Sequence, residues 1–118
     1  MHDQPRTASP DSLPEVVTRY LKAHHAHDTA TAVTAFTDQA TVIDDGNTYA
    51  GTEAIEGWLN RSANEFTYTI HLTGIQQTDA THYIATHHLE GNFPGGIIDL
   101  RYKFTLRDDL IERLVIEP

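Results

Sequence analysis

In the stretch ATVIDDG, residues 40–46, a β-branched run ends in two adjacent carboxylates, Asp44 and Asp45. Successive side chains of a strand point to opposite faces, so Asp44 shares a face with Val42 and Asp45 with Ile43. If the Val42 face looks into an interior, Asp44 is a carboxylate placed there for proton transfer. The alternative is a turn aspartate bonded to backbone near Gly46. Asp45 is expected to face solvent or cap the turn. Two tyrosines fall on apolar faces as well: Tyr20 on the stripe Leu13, Val16, Val17, Tyr20, Leu21 and His24, and Tyr102 within an alternating strand. A buried phenol usually finds a hydrogen-bond partner, so each is either a core tyrosine or a donor facing a ligand. One carboxylate base with phenolic donors suits removal of a proton beside a carbonyl and stabilisation of the enolate.

The histidines divide into two groups. HHAHD, residues 24–28, sets His24 and His27 one helical turn apart. A metal site needs three or four convergent ligands with supporting contacts, whereas histidines at a helix C-terminus are favoured by the macrodipole alone. No metal and no cofactor are therefore expected. In THYIATHHLEG, Tyr83, Ala85, His87 and Leu89 share one strand face. His87 is either a structural histidine bonded across the sheet or a member of the same interior as Asp44. No activated serine or cysteine, phosphate loop or nucleotide motif competes.

These side chains must be held by a small frame. The 118 residues suit one core. Seventeen acidic residues against eight basic ones give a formal net charge of −9, which argues against nucleic acid or an anionic membrane as partner. The chain has no cysteine, which removes disulfides and thiolate chemistry. No apolar run approaches the ~20 residues needed to span a bilayer. Residues 1–11 read as a disordered leader without the apolar core of a signal peptide, and a cytoplasmic location is expected.

Asp11 and Ser12 are placed to cap a first helix, with Pro14 in its first turn. Asp28 is placed to cap a shorter second helix carrying Ala32, Val33 and Phe36. The strand TVIDD follows, then GNTYAGTE as a turn and helix start, and a third helix burying Ile55, Trp58 and Leu59. From Phe66 the period becomes two. Phe66, Tyr68, Ile70 and Leu72 are expected inward, as are Ile98, Leu100, Tyr102, Phe104 and Leu106. NFPGG and the DD of residues 108–109 are turns. Helices followed by a strand meander predict an α+β fold with three helices packed on a curved antiparallel sheet, one domain over residues 12–118.

The run RYLKAHHAHD…FTDQATVIDDG…YAGTEAIEGWL resembles the superfamily of nuclear transport factor 2, SnoaL-like polyketide cyclases and ketosteroid isomerases, and GNFPGGIIDLRYKFTL resembles SnoaL-like domain proteins. The likeness covers roughly residues 12–117. It implies a cone-shaped α+β barrel (the cystatin-like roll) and a homodimer formed through the outer sheet face. In the isomerases a tyrosine of the first helix and an aspartate ending the strand before the third helix are catalytic. Tyr20 and Asp44 match these positions, and Tyr102 matches the second donor. In those isomerases the protein environment tunes carboxyl groups apart for acid–base work. Two aromatic positions that support the tyrosine in some relatives read here as Phe36 and Leu59. The resemblance also turns the His87 face toward the pocket, with Val42, Trp58, Tyr68, Leu100 and Ile116 as its walls around a small hydrophobic ligand. It implies either a cofactor-free isomerase, cyclase or dehydratase, or a ligand-binding or accessory module without turnover.

Overall fold

A computed structural model describes residues 13–65 and 67–118, without the side chains of residues 62–65. Helix α1, Glu15–His25, buries Val16, Val17, Tyr20, Leu21 and Ala23 on one stripe. Pro14 occupies its N-cap position rather than its first turn, with no side-chain capping bond. The expected caps Asp11 and Ser12, the leader 1–11 and Phe66 lie outside the described residues. Asp28 does cap helix α2, Thr29–Val33, by accepting the Thr31 N–H at 3.2 Å.

Two sequence expectations need correction here. Phe36 is not on α2 but opens strand β1, Phe36–Asp44. The Ala35 carbonyl accepts the Ile111 N–H at 2.8 Å, drawing the backbone into the sheet straight after the short helix. GNTYAGTE also contains a strand, β2, Asn47–Ala50. Asp45 and Gly46 take φ of 54° and 78° between the paired Asp44 and Asn47. Two consecutive positive φ values make the tight turn whose twist suits a hairpin, and Asp-Gly supplies them readily. Helix α3, Thr52–Glu65, then buries Ile55, Trp58 and Leu59.

Strands β3 (Tyr68–Asp79), β4 (His82–Gly91), β5 (Ile97–Arg107) and β6 (Leu110–Glu117) form an antiparallel meander. The six-stranded sheet runs β2-β1-β6-β5-β4-β3. It is mixed rather than antiparallel, because β1 and β6 pair in parallel. The chain leaves β1 through β2 and α3, re-enters at the far edge, and is carried back by the meander to lie alongside β1.

Alternation along β5 holds from Ile97 to Phe104, so that Tyr102 and Phe104 share the buried face, and the register against β6 shifts only after Thr105. On β4 the buried set is Tyr83, Ala85, His87 and Leu89. On β3, Tyr68, Ile70 and Leu72 are half-buried, but a register shift between Leu72 and Gly74 reverses the phase and brings Ile75 inside. Such a bulge adds a residue to one strand and exchanges its faces. Gly91 pairs with Tyr68, and a Cβ there would collide with the Thr67 carbonyl oxygen and with Tyr68. Only glycine allows that approach. The core joins α1, α3 and the inner sheet face around Tyr20, Val42, Ile55, Phe104, Ile111 and Leu114. Among the described residues, no helix is long and apolar enough to cross a membrane.

Candidate functional site

Along β1, Ala40 and Val42 are fully buried and Asp44, next on the same face, is half-buried. Strand alternation thus sends this carboxylate inward at the point where the hairpin turn ends the strand. There it meets α3. Trp58, on the buried face of that helix, donates its indole Nε1–H to Asp44 Oδ2 at 2.9 Å. A charge-assisted bond of this kind fixes the carboxylate's rotamer as well as stabilising its charge.

Asp44 and Trp58 open onto a cavity of about 420 Å³. Its wall includes His24 from α1, Tyr68 from β3, Leu100 and Tyr102 from β5, and Ile116 from β6. Phe93 and Pro94, from the β4–β5 turn, also line it. The Tyr68 hydroxyl lies 3.5 Å from His24 Nε2. His24 stands in a column of near-parallel rings, 5.7 Å from Tyr20 and 6.4 Å from Trp58 between centroids. Tyr102 presents an edge-on ring to His24 at 6.5 Å and to His87 at 4.6 Å.

Burial sets the protonation states. It lowers His24 to about 4, aided by the positive charges that His25 and His27 can carry. The His24 imidazole is neutral near pH 7. Tyr102 is raised by burial first, then by Tyr68 and Asp44. Tyr68 is raised by burial and Asp44. Both phenols therefore keep their protons and act as donors. A carboxylate, a neutral imidazole and two protonated phenols in one cavity can take a proton from carbon and hold a developing oxyanion.

Six residues named from the sequence line this cavity: Asp44, Trp58, Tyr68, Leu100, Tyr102 and Ile116. Tyr20, Val42 and His87 do not; each is 0% exposed and sits behind the wall. Tyr20 reaches the site through its stack on His24, and His87 through its contact with Tyr102. The Tyr20 hydroxyl and both His87 ring nitrogens are buried without a hydrogen-bond partner among the described residues. Burial raises Tyr20 well above its ordinary value, with smaller contributions from Tyr102, Asp44 and Tyr68. Burial lowers His87 to about 4, helped by His25 and His24. Among the further lining residues are two with polar side chains, His24 and Asp45. His24 ends the same apolar stripe as Tyr20, one turn on, and that spacing was the available signal. Asp45 is exposed in the turn, as expected, and also touches the cavity from there.

No family model matches the chain, and no curated protein matches it. Solved structures do. A candidate polyketide cyclase from Sinorhizobium meliloti superposes with a TM-score of 0.86 at 28% identity, covering 93% of this chain and 100% of that one. A protein with a ketosteroid isomerase-like fold from Catenulispora acidiphila, solved with trimethylamine, gives 0.78 at 20% identity, covering 91% and 87%. These neighbours, together with cystatin-fold and nuclear transport factor 2-like proteins, match the SnoaL-like and nuclear transport factor 2-like superfamily that the sequence resembles. A Mycobacterium tuberculosis protein solved with estradiol-17β-hemisuccinate is similar in fold to this chain, with a TM-score of 0.72 at 14% identity over 87% and 90% of the two chains. The likeness fixes the scaffold, and one scaffold of this kind hosts many activities.

Proposed function

We propose that this protein is a cofactor-free acid–base enzyme, an isomerase, cyclase or dehydratase acting on a small hydrophobic carbonyl compound bound in the cavity. The observation that carries this reading is the Asp44 carboxylate, lining the cavity with one oxygen held by the Trp58 indole. Asp44 takes the proton beside the carbonyl. Tyr102, assisted by Tyr68, donates to the oxyanion as it forms. Tyr20 and His87 act from behind the wall by fixing the rings of His24 and Tyr102. The cavity volume falls within the ~300–1,000 Å³ usual for small-molecule sites. Neighbours solved with a steroid ester and with an amine support a scaffold used for small organic molecules. The same proposal includes the cone-shaped closure of the sheet and a symmetric homodimer through its outer face.

The test needs no known product. Cyclic ketones are incubated with the protein in D₂O, and exchange of the protons beside the carbonyl is followed by NMR. Catalysed exchange is expected, and Asp44→Asn should lower it by ~10²–10⁴-fold, the usual contribution of a general base. Absence of catalysed exchange across the ketone panel would remove the enzyme reading. The second reading is a non-catalytic ligand-binding or accessory module. The Trp58–Asp44 bond favours it, since that bond gives the carboxylate a structural partner without turnover.

A further inference from the structure

The polar and apolar parts of the cavity lie at different places along the sheet. Asp44 pairs with Ile116 and Ile116 with Tyr102, so carboxylate and phenol stand in one row across β1, β6 and β5. Trp58 bonds Asp44, His24 stacks on Trp58, and the Tyr68 hydroxyl reaches His24, which brings these polar groups to the same end. The same face of β5 then runs away from that row. Leu100 stands two positions before Tyr102, and Ile98, opposite Leu89, stands four before it. At ~3.3 Å per residue, Ile98 is about 13 Å from Tyr102 along the strand. Phe93, half-buried, and Pro94, exposed, border this apolar end from the β4–β5 turn.

The turn is tied down on both sides. Pro94 and Gly95 fill the two central positions between Phe93 and Gly96, and the Gly96 N–H donates to the Phe93 carbonyl at 2.9 Å. Proline at the first central position and glycine at the second, here with φ of 89°, are what a type II turn requires. The Gly91 N–H donates to the Gly96 carbonyl at 3.0 Å and closes the base. Asn92 fastens the turn to the chain entering β3. Its Oδ1 accepts the Thr67 N–H at 2.9 Å, and its own N–H donates to the Thr67 carbonyl at 3.0 Å. A wall already ordered before the ligand arrives costs little entropy on binding and can select by shape.

We propose that the β4–β5 turn is the specificity element of this site: Phe93 and Pro94 meet the apolar body of the substrate and set how far it extends from the reacting carbonyl. Asn92 is the positioning residue that holds them there. The inference rests on the cavity being the substrate site. It narrows the substrate class to ketones whose apolar body points away from the carbonyl along β5, with a length limit fixed by the turn.

The probes are cyclohexanones bearing a methyl, propyl, pentyl or heptyl group opposite the carbonyl. They are followed by the same deuterium exchange, and their binding by ligand-observed NMR. The kcat/KM should rise by about two- to fourfold for each methylene that enters the apolar end, then stop rising once the chain meets the turn. Affinity should break at the same chain length. Phe93→Ala should move the break to longer chains and Phe93→Trp to shorter ones. Asn92→Ala should blur it, raising KM for the longer chains more than it lowers kcat. Asn92→Asp, which still accepts the Thr67 N–H, should restore it. A break at one chain length in the parent and both Phe93 variants would overturn the role of the turn and leave the enzyme reading standing. Rates and affinities indifferent to chain length would overturn the apolar end as well. Exchange with none of the ketones would remove the enzyme reading; the inference then stands or falls on whether the break in affinity moves with the Phe93 substitutions.

Discussion

His87 makes the fold sensitive to mild acid, and the size of the effect follows from its burial. The ring is 0% exposed, with both nitrogens lacking a protein partner among the described residues. Burial, with His25 and His24 nearby, lowers it from the ordinary 6.5 to about 4. The folded chain therefore refuses a proton that the unfolded chain accepts between those values. Stability is fully present above pH 6.5 and falls as pH drops toward 4. Integrating the proton-binding difference for this one ring gives a loss of about 2 kcal/mol between pH 7 and pH 5. His24 is lowered in the same way and adds in the same direction. With a urea m-value of roughly 1–3 kcal/mol/M, the midpoint should move by about 1 M for His87 alone.

The assay is urea unfolding at pH 7 and pH 5, followed by far-UV circular dichroism and by Trp58 fluorescence. Coincident curves establish that the transition is two-state. His87→Leu replaces an unpartnered buried imidazole by an apolar side chain of similar volume and should cost little at pH 7. Its pH dependence should be smaller than the parent's by about 2 kcal/mol. The exposed His88, which Glu90 and Asp99 raise, shifts in the opposite sense. It is common to both proteins and cancels in the comparison. Parent and variant losing the same stability over this range would refute the reasoning.

Two further measurements probe the site and the assembly. In a double-mutant cycle, Trp58→Phe and Asp44→Ala should couple by ~1–2 kcal/mol, the low end for a bond to a charged group because Asp44 is only half-buried. Circular dichroism must report this cycle, since Trp58→Phe removes the sole tryptophan; coupling near zero would mean that the indole does not hold the carboxylate in solution. On the outer sheet face Ile97 is 62% exposed, so Ile97→Lys should weaken the proposed dimer by about tenfold or more through burial of a charge. Sedimentation velocity measures that shift, and a parent protein that stays monomeric at high micromolar concentration would count against the dimer.

The parts legible in the sequence are those with local causes. Tyr102 and Phe104 are legible as inward because a strand covered on one face must alternate, and β5 has no bulge to break the phase before them. The spacing of Asp44 to Val42 turns it inward by the same rule. Tyr20 was legible as buried, but whether its hydroxyl met the cavity depended on the helix's exact depth. His24, one turn further, takes the wall position instead. The bulge in β3 that brings Ile75 inside falls at Gly74, a strand glycine that marks such a site but that alternation alone does not register. Strand β2, four residues long, was hidden by turn-forming neighbours. The Trp58–Asp44 bond and the parallel β1–β6 pairing join distant segments, and no local pattern carries such information.

That parallel pairing governs when the site comes into being. Asp44 lies beside Ile116 in the sheet, although most of the chain separates them. On its other side β1 has only the short hairpin partner β2, and an isolated hairpin is marginal in water. Contacts between remote segments form late, because loop entropy is lost before the contact is gained. During synthesis, Ala40 and Val42 therefore wait for β6 to emerge and cover them. The cavity has no half-built form: the segment bearing its carboxylate is secured by the same closing event that completes the sheet. Chains interrupted before β6 expose an apolar strand to chaperones and proteases, and they do so without a working pocket to protect.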